Sequence, residues 1–187
     1  MNFAGCAAVS MLALLGACTA EKEPAKPVPT FHEVMKDQID VNADALWEVA
    51  NAAIGDDAGL DPAKLSDAQW ADLVTRAEAV QQASLAIASM DPVVVARPGV
   101  KISDEGIPGG HSAAQVQAQI DANPQGMRDM ANALAAHMGD LAKAARNHDP
   151  VKAGPLIDQL DSVCENCHLE YWYPTQKALI EKYGIKR

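Results

Sequence analysis

From Phe31 onward, apolar side chains recur at steps of three and four, the period that gathers them on one face of an α-helix. Phe31, Met35, Ile39, Leu46, Val49 and Ala53 form the first such stripe and predict an amphipathic helix over 31–54, stopped by Gly55-Asp56-Asp57. Asp61-Pro62 and the capping box Ser66-x-x-Gln69 open a second helix, with Trp70, Leu73, Val74, Ala77, Val80 and Ile87 on one face. Asp91-Pro92 breaks the pattern, so this helix is expected to end at Met90. Residues 91–123 hold Pro92, Pro98, Pro108, Gly99, Gly106, Gly109 and Gly110, and predict a long crossover with a short helix over 112–120. Asn123-Pro124, a cap followed by proline in the first turn, opens a third stripe: Met127, Met130, Ala131, Leu134, Met138, Leu141, Ala142 and Ala145. Asp149-Pro150 opens a fourth, in which Ile157, Leu160, Cys164, Cys167 and Tyr171 face inward. Pro155 is expected to delay its regular start by a turn, Pro174 to end it, and a last short helix to follow over 175–183. No strand signal competes. The expected fold is all-α, an antiparallel four-helix bundle with a long crossover between the second and third helices.

The segment ahead of these helices has a different character. Ala4 to Ala20 is almost wholly apolar and precedes a polar, proline-containing stretch, which reads as an export signal, too short for a confident membrane span. Leu15-Gly16-Ala17-Cys18 resembles the lipobox of bacterial lipoproteins, which implies cleavage after residue 17 and a lipid on Cys18. A plain cleaved signal and a retained anchor are the competing readings, and the absence of Lys or Arg before Lys22 departs from the usual positive start. The chain therefore divides into a signal peptide at 1–17, a tether at 18–30 carrying Pro24, Pro27 and Pro29, and a helical domain at 31–187. A formal charge of −10 argues against nucleic acid and against a polybasic membrane patch. Aromatic residues make up only 4% of the chain, a balance that suits close-packed helices with a large flat ligand supplying the missing bulk.

The chemistry concentrates near the end of the fourth helix, in Cys164-Glu165-Asn166-Cys167-His168. A C-x-x-C-H run reads as a covalent attachment site for one c-type haem: two thiols add across the vinyl groups of the porphyrin, and the imidazole that follows becomes an axial iron ligand. On a helix, positions i, i+3 and i+4 share a face, so all three side chains can meet one flat ligand. A thioredoxin-like dithiol would sit near the start of a helix in a βαβ pattern, and zinc would want a second ligand pair at finger-like spacing; neither is found. Of the four cysteines, the signal removes Cys6, lipid takes Cys18 and haem takes Cys164 and Cys167, leaving no disulfide, which is consistent with export to an oxidising compartment.

With that motif on the last helix of a four-helix bundle, the sequence resembles the class II cytochromes c, the cytochrome c′ family. Val34-Met35-Lys36, Trp47 and the run His168 to Pro174 are similar to a branch of exported bacterial members, and the likeness covers about 31–174. The resemblance implies that a first-helix residue lies over the distal haem face. In low-spin members that residue is a methionine, and Met35 falls at a similar position. His168 and Met35 are then the axial ligands, and a thioether ligand raises the potential, which suits electron transfer. The plain alternative for Met35 is a core methionine, and His32, three residues earlier on the same face, is its rival. Tyr171, four residues beyond Cys167, is expected to pack on the haem edge, and Trp172, four beyond His168, to shield the proximal side; core packing is the alternative for both. His137 reads as a satisfied or partly exposed histidine, and His111 and His148 as solvated ones.

The leading functional reading is a non-enzymatic periplasmic electron carrier that docks a redox partner protein, with a lipid tether through Cys18. A basic tail from Lys177 to Arg187 could orient docking, though a solvated face explains it more simply. Members of the family are often dimers, and the apolar faces leave a homodimer open. The alternative is a high-spin, gas-binding protein without a strong sixth ligand. A haem peroxidase is the third reading, and it wants a distal acid-base pair that is not evident beside Met35.

Overall fold

The computed structural model describes residues 27–56 and 59–183. The readings for the export signal, the acylated Cys18 and most of the tether fall outside them. Among the described residues the chain is all-helical with no strand. The first helix, α1, spans 31–52 in three stretches: Phe31–Val34 in α geometry, Met35–Asp40 in π geometry, and Val41–Ala52 in α geometry. It starts where it does because Thr30 and Glu33 form a capping box that satisfies two backbone N–H groups.

Helix α2, Asp67–Ala88, is opened by the expected Ser66/Gln69 box, while Asp61-Pro62 makes a separate single turn, Pro62–Lys64. The crossover at 89–112 is far from solvated loop: Val93, Val95 and Ile102 are buried in the main core. Helix α3, Ala113–Ala122, is capped by Ser112 and Gln115. Helix α4, Pro124–Arg146, follows the Asn123 cap directly. Helix α5, Pro150–Cys167, runs on into a π turn, His168–Trp172, and α6 covers Pro174–Tyr183. Pro155 does not delay α5, which is regular from Pro150. The hydrogen bond that this proline forfeits would go to the carbonyl of Val151, an exposed residue whose carbonyl water can serve.

The two long helices α2 and α4 lie against each other along most of their length, α1 packs on α2, and α5 packs on α4. Leu73, Val80 and Ile87 of α2 and Met127, Met138 and Leu141 of α4 are buried, each contributing about 1.5–3 kcal/mol. Small residues allow the close approach: an added Cβ at Gly139 would stand 2.4 Å from Nε2 of Gln81, which itself donates to the Ala135 carbonyl at 3.2 Å. By contrast, α1 and α5 touch only lightly. The cavity described next opens between them.

Candidate functional site

Cys164, Cys167 and His168 of α5 line one cavity of about 240 Å³ together with Met35 and His32 of α1. Cys164 and Cys167 stand one α turn apart, and both are free thiols, half-buried. Burial pushes the Cys164 thiol up to about 11, with Asp161 and Asp40 adding to the effect. It pushes Cys167 up to about 12, with Cys164 and Glu170 adding. Both sulfurs are therefore protonated near neutrality, unlike the thiolate of a dithiol oxidoreductase. Burial also holds the His168 imidazole below its ordinary value, against the opposite pull of Asp40 and Asp161. A neutral imidazole keeps a nitrogen lone pair for a metal.

His168 is the first residue of a π turn, and the amide of Tyr173 donates to its carbonyl across five residues at 2.7 Å. Met35 is likewise the first residue of the π turn in α1. π geometry occurs in well under 1% of residues and gathers at functional sites. Here both π turns border one cavity, and each begins at a residue read from the sequence as an axial ligand.

The remaining walls are mostly apolar inside, with the buried Ser84 of α2 as an exception, and polar at the mouth. Ile87 of α2 and Met127, Met130 and Leu134 of α4 close the sides, while Lys36, Asp40, Asp104 and Tyr173 rim the opening. Asp40 is exposed as a residue, yet the partial burial of its carboxyl raises it above the usual carboxylate value, opposed by His168 and His32. The Tyr173 hydroxyl donates to Asp104, and burial together with that bond pushes it up to about 12. The Trp172 ring lies 6.4 Å from the His168 ring and 5.5 Å from Phe31, so it spans from one wall to the start of the other.

These residues suit a flat apolar macrocycle with a charged edge. The donor set is two thiols and one imidazole spread along a helix face, opposite a thioether. Among the described residues no three His, Cys, Asp or Glu side chains converge as a metal-ion cluster. The arrangement presents a surface to a plate rather than a cage to an ion.

Tyr171 is the expected residue that the cavity does not include. It is 2% exposed, and its hydroxyl lies 3.5 Å from the Asn123 carbonyl, beneath the joint between α3 and α4. The π turn explains the difference, because the wider turn shifts the register beyond Cys167 and brings Tyr173 to the cavity beside Trp172. His111, read as solvated, has its Nδ1 3.1 Å from the Tyr171 carbonyl. His148 stacks on Trp70 with ring centroids 5.2 Å apart. Nε2 of His137 lies 2.7 Å from the Leu156 carbonyl. Asp40 and Tyr173 reach the site at the ends of the two π turns, and Asp104 because the crossover folds back over this end of α5, which nothing in its spacing signals.

Among the described residues no helix is long and apolar enough to cross a membrane. Compared with protein-family models, with curated proteins and with solved structures, the chain finds no match.

Proposed function

We propose that this protein is a monohaem c-type cytochrome of class II type, built as an antiparallel four-helix bundle of α1, α2, α4 and α5, and that it carries electrons in the bacterial periplasm. One observation carries the reading: the two free thiols and the imidazole of the C-x-x-C-H run share a cavity with Met35 on the opposite helix, with a π turn on each side. The ring of contacts, α1 on α2, α2 on α4, α4 on α5 and α5 lightly on α1, supports the bundle.

Cys164 and Cys167 would hold the porphyrin by thioether bonds, His168 would give a nitrogen ligand and Met35 a sulfur ligand. When bound, the haem would supply a one-electron iron couple, whose potential a thioether ligand such as Met35 would raise. The apolar sides from α2 and α4 exclude water and stiffen the pocket, while Lys36 and Tyr173 stand at the open edge where charge can be solvated. Export, with a lipid on Cys18 and a docked redox protein as partner, completes the proposal.

The test is expression in a host competent in cytochrome maturation. The protein is expected to be coloured, to have the mass of polypeptide plus one haem, and to show a low-spin spectrum whose sulfur-to-iron band disappears in Met35→Ala. The Cys164→Ser/Cys167→Ser protein should have the bare polypeptide mass. A wild type at bare polypeptide mass would end the haem reading. Carbon monoxide binding as fast in the wild type as in Met35→Ala would replace the electron carrier by the gas-binding alternative.

A further inference from the structure

We propose that the crossover at 91–112 is a two-ended strap that sets the separation of α1 and α5, and that His111 and Arg97 are positioning residues for the pair Met35 and His168. The inference rests on the haem reading above. Its physical basis is the set of backbone groups that helix ends leave without partners.

At one end the strap caps α1. The amides of Phe31 and His32, among the first of that helix, donate to the carbonyls of Val94 and Val95 at 2.8 and 2.9 Å. Arg97 grips Glu33 with both arms, Nε to Oε1 at 2.8 Å and Nη2 to Oε2 at 3.1 Å. The grip and the Thr30 amide hold the Glu33 carboxyl down at about 2. Gln117 of α3 locks the strap from behind, donating to the Val93 carbonyl and accepting from the Val95 amide, both at 2.9 Å.

At the other end the strap caps the π turn that follows the C-x-x-C-H run. The His111 amide donates to the Trp172 carbonyl at 3.0 Å, and its ring Nδ1 lies 3.1 Å from the Tyr171 carbonyl. A carbonyl only accepts, so Nδ1 carries the proton. The Tyr173 hydroxyl reaches Asp104 of the strap. Gly109 passes so close to the start of α6 that an added Cβ would stand 2.9 Å from the Thr175 hydroxyl, and its φ of +87° is one that glycine adopts without strain.

The two walls of the cavity have little else in common. Direct contact between α1 and α5 is slight, apart from the ring contact of Phe31 with Trp172. The single segment between Val94 and His111 is thus bonded to the first residues of the helix that carries Met35 and to the last residues of the helix that carries His168. Loosening either end lets the walls part.

The experiment uses the full haem-loaded chain with His111→Ala at one end, Arg97→Gln at the other, and His111→Asn as the conservative replacement. Both loosening variants are expected to keep the haem mass, to weaken the sulfur-to-iron band, and to bind carbon monoxide about two- to tenfold faster in the ferrous form, the shift one hydrogen bond of ordinary strength allows. In addition, His111→Ala should speed amide exchange at Phe31 and His32, on the far side of the cavity, and His111→Asn should restore wild-type behaviour. Haem-loaded variants with unchanged band, carbon monoxide rate and far-side exchange would overturn the strap alone. A change confined to 171–173 would also overturn it, leaving His111 as a local cap. A wild type that carries no haem would overturn the strap together with the reading it rests on.

Discussion

Two pairs of helices in this molecule have similar lengths and opposite outcomes. Helices α2 and α4 are unbroken α-helix over 22 and 23 residues, and their apolar stripes close on each other with alanines and Gly139 at the contact. Helices α1 and α5 have comparable stripes, yet each changes to π geometry where it meets the cavity, over 6 residues in α1 and 5 in α5. A π turn widens the helix and shifts the register of everything beyond it. Regular register lets one pair seal, whereas the shifted register leaves the other pair with room between them. The chemistry-bearing side chains stand at that gap: Cys164, Cys167 and His168 on one side, Met35 and His32 on the other.

The comparison can be broken most severely by removing the extra residue. Deleting Asp37, exposed in the middle of the α1 π turn, should restore α geometry; because the π turn accommodates one extra residue, the helix on either side stays in phase and the change falls on the turn itself, where Met35 stands. Phe31 and Val34, now 2% and 0% exposed, then keep their sites while Met35 is turned from its place on the cavity wall. The expected result is loss of the sulfur-to-iron band, with helical circular dichroism and most of the stability in urea unfolding retained. Asp37→Ala is the control and should keep the band. A deletion protein with the wild-type spectrum would mean that the π turn is incidental.

Next in size is the contrast between truncations in the two pairs. Measured in the haem-free Cys164→Ser/Cys167→Ser chain, Leu141→Ala should cost about 2–5 kcal/mol, because Leu141 is fully buried between helices that cannot collapse further. Met35→Ala in the same background should cost about 1 kcal/mol or less, since Met35 is only half-buried and already borders open space. In the haem-loaded protein the order reverses for the spectrum: Met35→Ala changes it and Leu141→Ala does not. Equal costs in unfolding would mean that the cavity wall is as tightly packed as the α2–α4 seam.

What could be read in advance follows the same division. The α2 and α4 stripes were legible residue by residue because a strict helical period and ordinary caps, Ser66 and Asn123, determine them. The C-x-x-C-H run is legible as a unit because of its fixed spacing, and its three side chains do line one cavity. The π turns were not, since an extra residue within a helix leaves the three-and-four alternation of Phe31, Met35 and Ile39 intact in sequence while changing it in space. The second π turn is why Tyr173 reaches the cavity while Tyr171 packs in the core outside it. The crossover was hidden for another reason. Its prolines and glycines announce irregular backbone, but Val93, Val95 and Ile102 are too widely spaced to show that it is pinned into the core. Thr30 and Glu33 form a capping box as plain as that of Ser66, and it places the first turn of α1 at Phe31.

The smallest expected effect separates the two ends of α5. At its start, far along the helix from the π turn, Asp149 accepts from the Lys152 amide at 3.1 Å and pairs with the Lys152 ammonium at 2.8 Å. The Lys152 hydrogen bonds hold the Asp149 carboxyl below its ordinary value, and Asp149 holds the Lys152 ammonium above its own. A carboxyl lowered on folding adds stability above the ordinary carboxylate range and loses it as pH falls through the folded value. A lysine raised on folding adds stability below the ordinary lysine range and loses it as pH climbs past the folded value. Asp149→Asn keeps a capping oxygen and removes the charge. The wild type should therefore be slightly more stable than the variant at neutral pH, and the difference should vanish in strong acid and shrink above the lysine range. Because the pair is at the surface, 1 M salt should shrink the difference as acid does. Urea midpoints for the two proteins across pH and salt provide the check, with the optical spectrum recorded alongside. If the spectrum follows the midpoint, the two ends of α5 are mechanically continuous and Pro155 does not interrupt them. A spectrum that stays fixed while the midpoint moves means that the cavity end is held by its own π turn and by the crossover, independently of how firmly the helix begins.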